Sequence, residues 1–219
     1  SGILKEDEKE YYRKVSFDME AYIATDALKA LSGFLMRYYG KKVIFLLDEY
    51  DTPMQEAYVY GYWEELTAFT RSLFNAAFKS NPYLERAIMT GITRVSKESM
   101  FSDLNNLKVV TVTSEEYADS FGFTEEEVLS ALDEYVMADW KSEVKMWYDG
   151  FVFGSCADIY NPWSIINFLD TGKARPYWVN TSSNSLVEKL VREGSPELKM
   201  VMERLLQGGA LHTFLDEQI

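Results

Sequence analysis

The sequence predicts an α/β fold, with a parallel sheet in the first half of the chain and a helical extension in the second. Three observations predict it. Val43 to Leu47 is an unbroken apolar run that leads straight into Asp48, Glu49 and Asp51, the texture of a strand buried on both faces of a parallel sheet. A helical stretch over residues 62–79 and a second short strand, Arg86 to Ile92, come next, so strand, helix and strand suggest a parallel crossover unit. After residue 113 the pattern changes to a succession of helix starts and stops.

Taken in order, residues 18–39 form an amphipathic helix. Tyr22, Ile23, Ala27, Leu28, Leu31, Phe34, Leu35 and Tyr38 recur at helical spacing, and Gly40 is a natural stop. The apolar strand follows, and Pro53 is expected to break the backbone after the acidic cluster. In the helix over 62–79, Leu66, Phe69, Leu73 and Ala77 mark the buried side, and Asn81-Pro82 ends it. Lys108 to Val112, apolar and β-branched, is a third strand candidate. Thr124-Glu125-Glu126-Glu127 is a capping box that opens a helix to about Val136. A further helix covers about 138–148, and the glycines among aromatics from Trp147 to Gly154 suggest a tight turn. Asn161-Pro162 starts a helix that ends near Gly172, Pro176 to Ser183 is extended, and helices over 184–193 and 196–207 follow. No internal repeat appears. The shift near 113 is the one candidate boundary, dividing a core, 1–113, from a helical extension, 114–219.

Composition excludes several classes. The 219 residues suffice for one domain with a sizeable core. A net charge of −13 disfavours direct nucleic-acid binding, which needs clustered Lys and Arg, and anionic membranes equally. No apolar run reaches the roughly 20 residues of a membrane helix. The polar start predicts no signal peptide. Ser1-Gly2 reads as a scar of tag cleavage, so the natural chain is expected to begin earlier. One cysteine, Cys156, rules out an internal disulfide and fits a reducing, cytoplasmic setting. With His212 as the only histidine, neither a structural zinc site nor a histidine-based triad is expected.

The chemistry therefore concentrates on the acidic strand end. In open α/β sheets ligands bind outside the C-terminal ends of the strands. An apolar strand ending in Asp-Glu has the pattern of a Walker B strand, in which Asp48 holds Mg²⁺ and Glu49 orients and deprotonates the attacking water. The plainer alternative is that Asp48, Asp51 or Thr52 caps a helix after a core strand. The second strand ends in Thr90-Gly91, followed by Thr93, Arg94, Ser96 and Lys97. A polar residue at that edge can sense a γ-phosphate, and Arg94 or Lys97 can offset its charge. Arg94 and Lys97 could equally form surface ion pairs with nearby acids.

Longer strings carry a resemblance. Tyr39-Gly40-Lys41-Lys42-Val43 leads into Leu47-Asp48-Glu49-Tyr50-Asp51-Thr52-Pro53. Asn81-Pro82-Tyr83-Leu84-Glu85, Thr90-Gly91-Ile92 and Ser96-Lys97-Glu98-Ser99 follow, then Phe101-Ser102 and Leu104-Asn105-Asn106-Leu107. In the second half come Phe121-Gly122-Phe123-Thr124, Trp147-Tyr148-Asp149-Gly150-Phe151, Tyr160-Asn161-Pro162-Trp163-Ser164 and Tyr177-Trp178-Val179-Asn180-Thr181-Ser182-Ser183-Asn184. Over about residues 30–190 the chain resembles the AAA-ATPase-like family of bacterial proteins, whose members often carry a C-terminal nuclease-like domain. The resemblance implies a partial P-loop NTPase-like parallel sheet with a helical extension. It makes Asp48 the metal ligand, Glu49 and Arg94 catalytic, and Thr90 and Lys97 nucleotide-binding.

One departure shapes the reading. Gly40-Lys41 and Gly172-Lys173 both lack a following Ser or Thr, so neither can form a phosphate-wrapping loop that hands a hydroxyl to Mg²⁺. The chain is then expected to be the second half of an ATPase-like domain, with ATP and Mg²⁺ bound by the intact parent and neither by this fragment. Its expected partner is the missing N-terminal half. The strand that feeds the phosphate loop would lie between the strands near 86–91 and 108–112. Its absence leaves edges that either pair with each other directly or are hidden by a homodimer or a swap. The alternative function is a degenerate scaffold that binds partners through the aromatic stretches Trp147–Phe153 and Tyr177–Asn184. A nuclease built from Asp48, Glu49, Asp51 and Lys41 or Lys42 is disfavoured by the acidic balance.

Overall fold

The structure, a computed structural model, describes residues 4–92, 101, 104, 107–178 and 185–211. The chain divides into two compact units: Ser1–Leu107 together with Ser185–Ile219, and Lys108–Asn184. The C-terminal helices α8 (Ser185–Glu193) and α9 (Pro196–Leu206) thus belong with the N-terminal half.

In the first unit, α1 (Glu6–Lys14) has no apolar stripe to announce it. Acids in its first turn and bases in its last complement the helix dipole. Helix α2 (Ala21–Tyr39) ends where Gly40 takes the left-handed conformation (φ +65°), as the sequence predicts. Its buried face is not the predicted one throughout. Ile23 is buried, but Tyr22, Leu31, Leu35 and Tyr38 are exposed, while Ser32 and Gly33 are buried. Small residues let the loop before the second strand approach closely. A Cβ on Gly33 would sit 2.9 Å from the Tyr83 ring, and Asn81 Nδ2 donates to Ser32 Oγ at 3.1 Å. Close contact through small residues outweighed the larger apolar stripe.

Strands β1 (Val43–Leu47) and β2 (Leu84–Met89) pair in parallel, with Leu46 opposite Ile88 and Leu47 opposite Met89. The crossover between them holds α3 (Thr52–Tyr60) and α4 (Trp63–Phe74), the latter running into a π-helical turn, Asn75–Lys79. Pro53 does not break the backbone. It sits in the first turn of α3, where its missing N–H costs nothing and its fixed φ suits the helix. The end of α4 and the π-helical turn bring Phe74, Ala77 and Phe78 inward with Met54, Phe101 and Leu104. Phe45, Leu47, Ala87 and Met89 pack on this core from one face of the strand pair. The expectation of burial on both faces fails: Ile44, Leu46 and Ile88 are exposed on the other face.

The predicted third strand is not formed. Val109 and Val112 are exposed, and the chain turns where Thr111 N donates to Ser114 Oγ at 3.0 Å. Val112 O accepts from Gly154 N at 2.8 Å, so the segment covers a hairpin of the second unit rather than extending the β1–β2 pair.

The second unit is not purely helical, contrary to the sequence expectation. β3 (Phe123–Thr124), β4 (Asp149–Phe153) and β5 (Cys156–Tyr160) form an antiparallel sheet in the order β3-β5-β4. The expected turn at Trp147–Gly154 is in fact the end of α6 (Lys141–Tyr148), all of β4 and the hairpin corner, where Gly154 has φ +53°. Helix α5 (Glu125–Glu134) carries the predicted capping box: Glu127 N donates to Thr124 Oγ1, and Thr124 N donates back to Glu127 Oε2. Asn161 Oδ1 caps α7 (Pro162–Thr171) by accepting from Ser164 N at 2.9 Å. Val128, Leu132, Val144, Tyr148, Tyr160, Ile165 and Phe168 form the core. The aromatic stretches divide between core and surface: Tyr148 is buried, whereas Trp147, Phe151 and Trp178 are exposed.

Lys145 Nζ sits among three carboxylates, 2.5 Å from Glu125, 3.2 Å from Asp158 and 3.9 Å from Asp149. Burial, and then the carboxyl group of Asp158, push the Asp149 carboxyl above its ordinary value of 3.8, against the pull of Lys145. A group whose pKa rises on folding adds stability only at low pH and loses it as the pH climbs through the folded-state value. Asp149→Asn is therefore expected to raise the melting temperature at pH 7 and to have a vanishing effect near pH 3, by calorimetry at the two pH values. Leu132, fully buried, should cost about 2–5 kcal/mol on truncation to alanine, read from denaturant unfolding.

Candidate functional site

Because β1 and β2 are parallel, their C-terminal ends lie on one rim. β1 hands over to Asp48 and Glu49, and β2 hands over to Thr90. The ladder continues one step beyond the strands: Thr90 N donates to Leu47 O and Tyr50 N donates to Thr90 O, both at 2.9 Å. That continuation sets Thr90 beside the acids. Its hydroxyl donates to Asp48 Oδ1, which also accepts from Glu49 N at 3.1 Å.

Glu49 adopts φ +51°, a left-handed backbone uncommon outside glycine and costing about 1–2 kcal/mol. Two contacts hold the turn. Thr52 N donates to Glu49 O at 3.1 Å, and Thr52 Oγ1 reaches Glu49 Oε2 at 3.4 Å. The bend redirects the chain into α3 and leaves Asp48 and Glu49 exposed at the rim. Strain of this kind gathers where a side chain must be presented rather than packed.

Asp51 behaves in the opposite way. It occupies the position before α3 but makes no side-chain cap, contrary to the plainer sequence reading. Its carboxylate is fully buried, and Oδ2 accepts from Gln55 Nε2 at 2.8 Å. Its other oxygen lies against the chain leaving β2: a Cβ on Gly91 would meet Asp51 Oδ1 at 2.6 Å and the Tyr50 ring at 2.8 Å. A buried carboxylate is stable only with polar neighbours; Gln55 supplies one, and the chain leaving β2 passes close by at Gly91. The sequence singled out Asp51 as one of three acids but not as the buried one. The signal available was Gln55, one helical turn later.

The rim can supply oxygen donors to a hard cation through Asp48 and Glu49. Among the described residues no group of three or more His, Cys, Asp or Glu is placed to hold a metal by itself. Such a rim matches Mg²⁺ held mainly by phosphates and water, which needs only one or two carboxylates from the protein. Of the predicted site residues, Asp48, Glu49 and Thr90 come together. Arg94 and Lys97, like Thr93, Ser96 and His212, lie outside the described residues.

Residues 2–101 match a family model described as "Predicted AAA-ATPase". By this match the stretch is similar to the AAA-ATPase-like family. The rim lies wholly inside it. The chain is also similar to an uncharacterized protein of the vnfD 5′ region of Azotobacter chroococcum mcd 1, with 29% identity over 167 residues, 74% of this chain and 32% of the relative. The chain thus spans about a third of that relative's length. No solved structure matches. Among the described residues no helix is long and apolar enough to cross a membrane.

Two substitutions in the AAA-ATPase-like stretch test this geometry. Gly91→Ala drives a methyl group into Asp51 and Tyr50 and should cost about 1–3 kcal/mol in denaturant unfolding. Thr90→Val keeps the shape and removes the bond to Asp48. It should cost less, about 0.5–1.5 kcal/mol by the same measurement.

Proposed function

We propose that this chain is the metal- and water-handling portion of an ATP-hydrolysing domain whose phosphate-binding loop belongs to residues outside the 219. In this reading the parent binds ATP with Mg²⁺, and the 219 residues alone bind neither. The observation that carries it is the rim itself: an exposed Asp-Glu pair at the end of one parallel strand, level with a threonine at the end of its neighbour. The AAA-ATPase-like match over the same residues supports it.

Each group has a role that follows from its position. Asp48, as the Walker B aspartate, would offer one oxygen to the Mg²⁺ of a bound nucleotide. Glu49, lifted clear of the strand by its left-handed backbone, would orient an attacking water and accept its proton. Thr90, now donating to Asp48, can exchange that partner for a phosphate oxygen and so couple nucleotide to metal ligand. Arg94 and Lys97, a few positions further on in the sequence, would offset phosphate charge. Mg²⁺, when bound, supplies charge neutralisation on the transferring phosphoryl group.

A second reading has an observation of its own. Trp147, Phe151 and Trp178 are exposed, which suits the 108–184 unit as a partner-binding module. The two readings are compatible, since they use different units. A homodimer through the open strand edge is a further arrangement that would suit a fragment.

The test is turnover. Residues 1–219 are expected to show no ATPase activity. In the longer natural protein, Glu49→Gln should leave nucleotide affinity within about twofold while lowering turnover by about 10²–10⁴. Hydrolysis by residues 1–219 that the same substitution abolishes would overturn the fragment reading.

A further inference from the structure

The two faces of the β1–β2 ribbon are treated differently. On one face, Phe45, Leu47, Ala87 and Met89 are packed by the core of the first unit. On the other, Ile44 is 57%, Leu46 76% and Ile88 53% exposed. These belong to facing pairs, Ile44 with Arg86 and Leu46 with Ile88. An all-parallel sheet, joined by crossover connections, is ordinarily covered on both faces. Three exposed aliphatic side chains on parallel strands, beside the exposed Arg86, thus form a face built for cover.

We propose that this strip docks a segment of the same polypeptide lying outside residues 1–219, one that presents its own aliphatic side chains, as an amphipathic helix does. Size decides between this occupant and a second copy of the chain. Five-residue strands are about 17 Å long and a two-stranded ribbon about 10 Å wide, a footprint of about 170 Å². A stable interface between separate molecules needs about 800 Å² per partner. A strip this small cannot hold a free partner, but it can hold a tethered one, because a linker supplies about millimolar effective concentration. The net charge of −13 further opposes two copies meeting here. Chain for such a segment exists in the relative, of which this chain covers 32%. The inference takes from the proposed function only the longer parent chain and nothing of its chemistry. Labelling can therefore fail while turnover stands, and the reverse.

The experiment is thiol labelling with a maleimide in a Cys156→Ser background, which removes the one cysteine of residues 1–219; any cysteine elsewhere in the longer protein is replaced by serine as well. Leu46→Cys and Ile88→Cys probe neighbouring strands, so one remains informative if the other does not fold. Val136→Cys, at a 91% exposed position of the other unit, is the control. In residues 1–219 both probes should react at about the control rate. In the longer natural protein they should react about tenfold or more slowly, with the control unchanged. Equal rates in the two proteins would overturn the proposal. So would protection within residues 1–219 that grows with protein concentration, the mark of a second copy, or a natural chain with no residues beyond these.

Discussion

Parallel strands cannot be joined by a tight turn, so the register between β1 and β2 depends on whatever packs beneath them. Here that is a cluster of aromatic and aliphatic side chains from α3, α4 and the π-helical turn, meeting Phe45, Leu47, Ala87 and Met89. A slip of one residue would exchange the buried and exposed faces of either strand. Everything at the rim inherits this register. With Leu47 opposite Met89, the next residues are Asp48 and Thr90, and their side chains bond.

The rim divides into a fixed base and a presented edge. Asp51 is buried beside Gly91 and bonded to Gln55, and Tyr50 N donating to Thr90 O joins the two loops that leave the strands. Asp48 and Glu49 stand above it in water. Holding Glu49 in a left-handed backbone costs free energy, and the structure tolerates that cost because the flanking chain is anchored by the ladder on one side and by α3 on the other.

Much of this was legible in advance where the signal was local. The apolar run of β1, the stop at Gly40, the capping box at Thr124 and the Asn161-Pro162 start all appear where the residues place them. Each depends on neighbours within a turn or two of chain. The failures share the opposite property. Val109 and Val112 have the composition of a strand, yet they became part of a turn that meets a hairpin distant in sequence, where Val112 O accepts from Gly154 N. The buried face of α2 was chosen by what could approach it, and Ser32 and Gly33 admitted Asn81 and Tyr83 closely.

By itself, then, the sequence determined which residues could form strand or helix, and that acids would follow one strand and a threonine the other. Those are consequences of periodicity, capping and backbone preference, all short-range. Only the tertiary structure decided that Asp48 and Thr90 meet, that Asp51 is interior while Glu49 is not, and that one face of the ribbon is bare. Those outcomes depend on side chains more than forty positions apart coming into contact, and on how much apolar surface the rest of the chain could bring to each face, which no local pattern encodes.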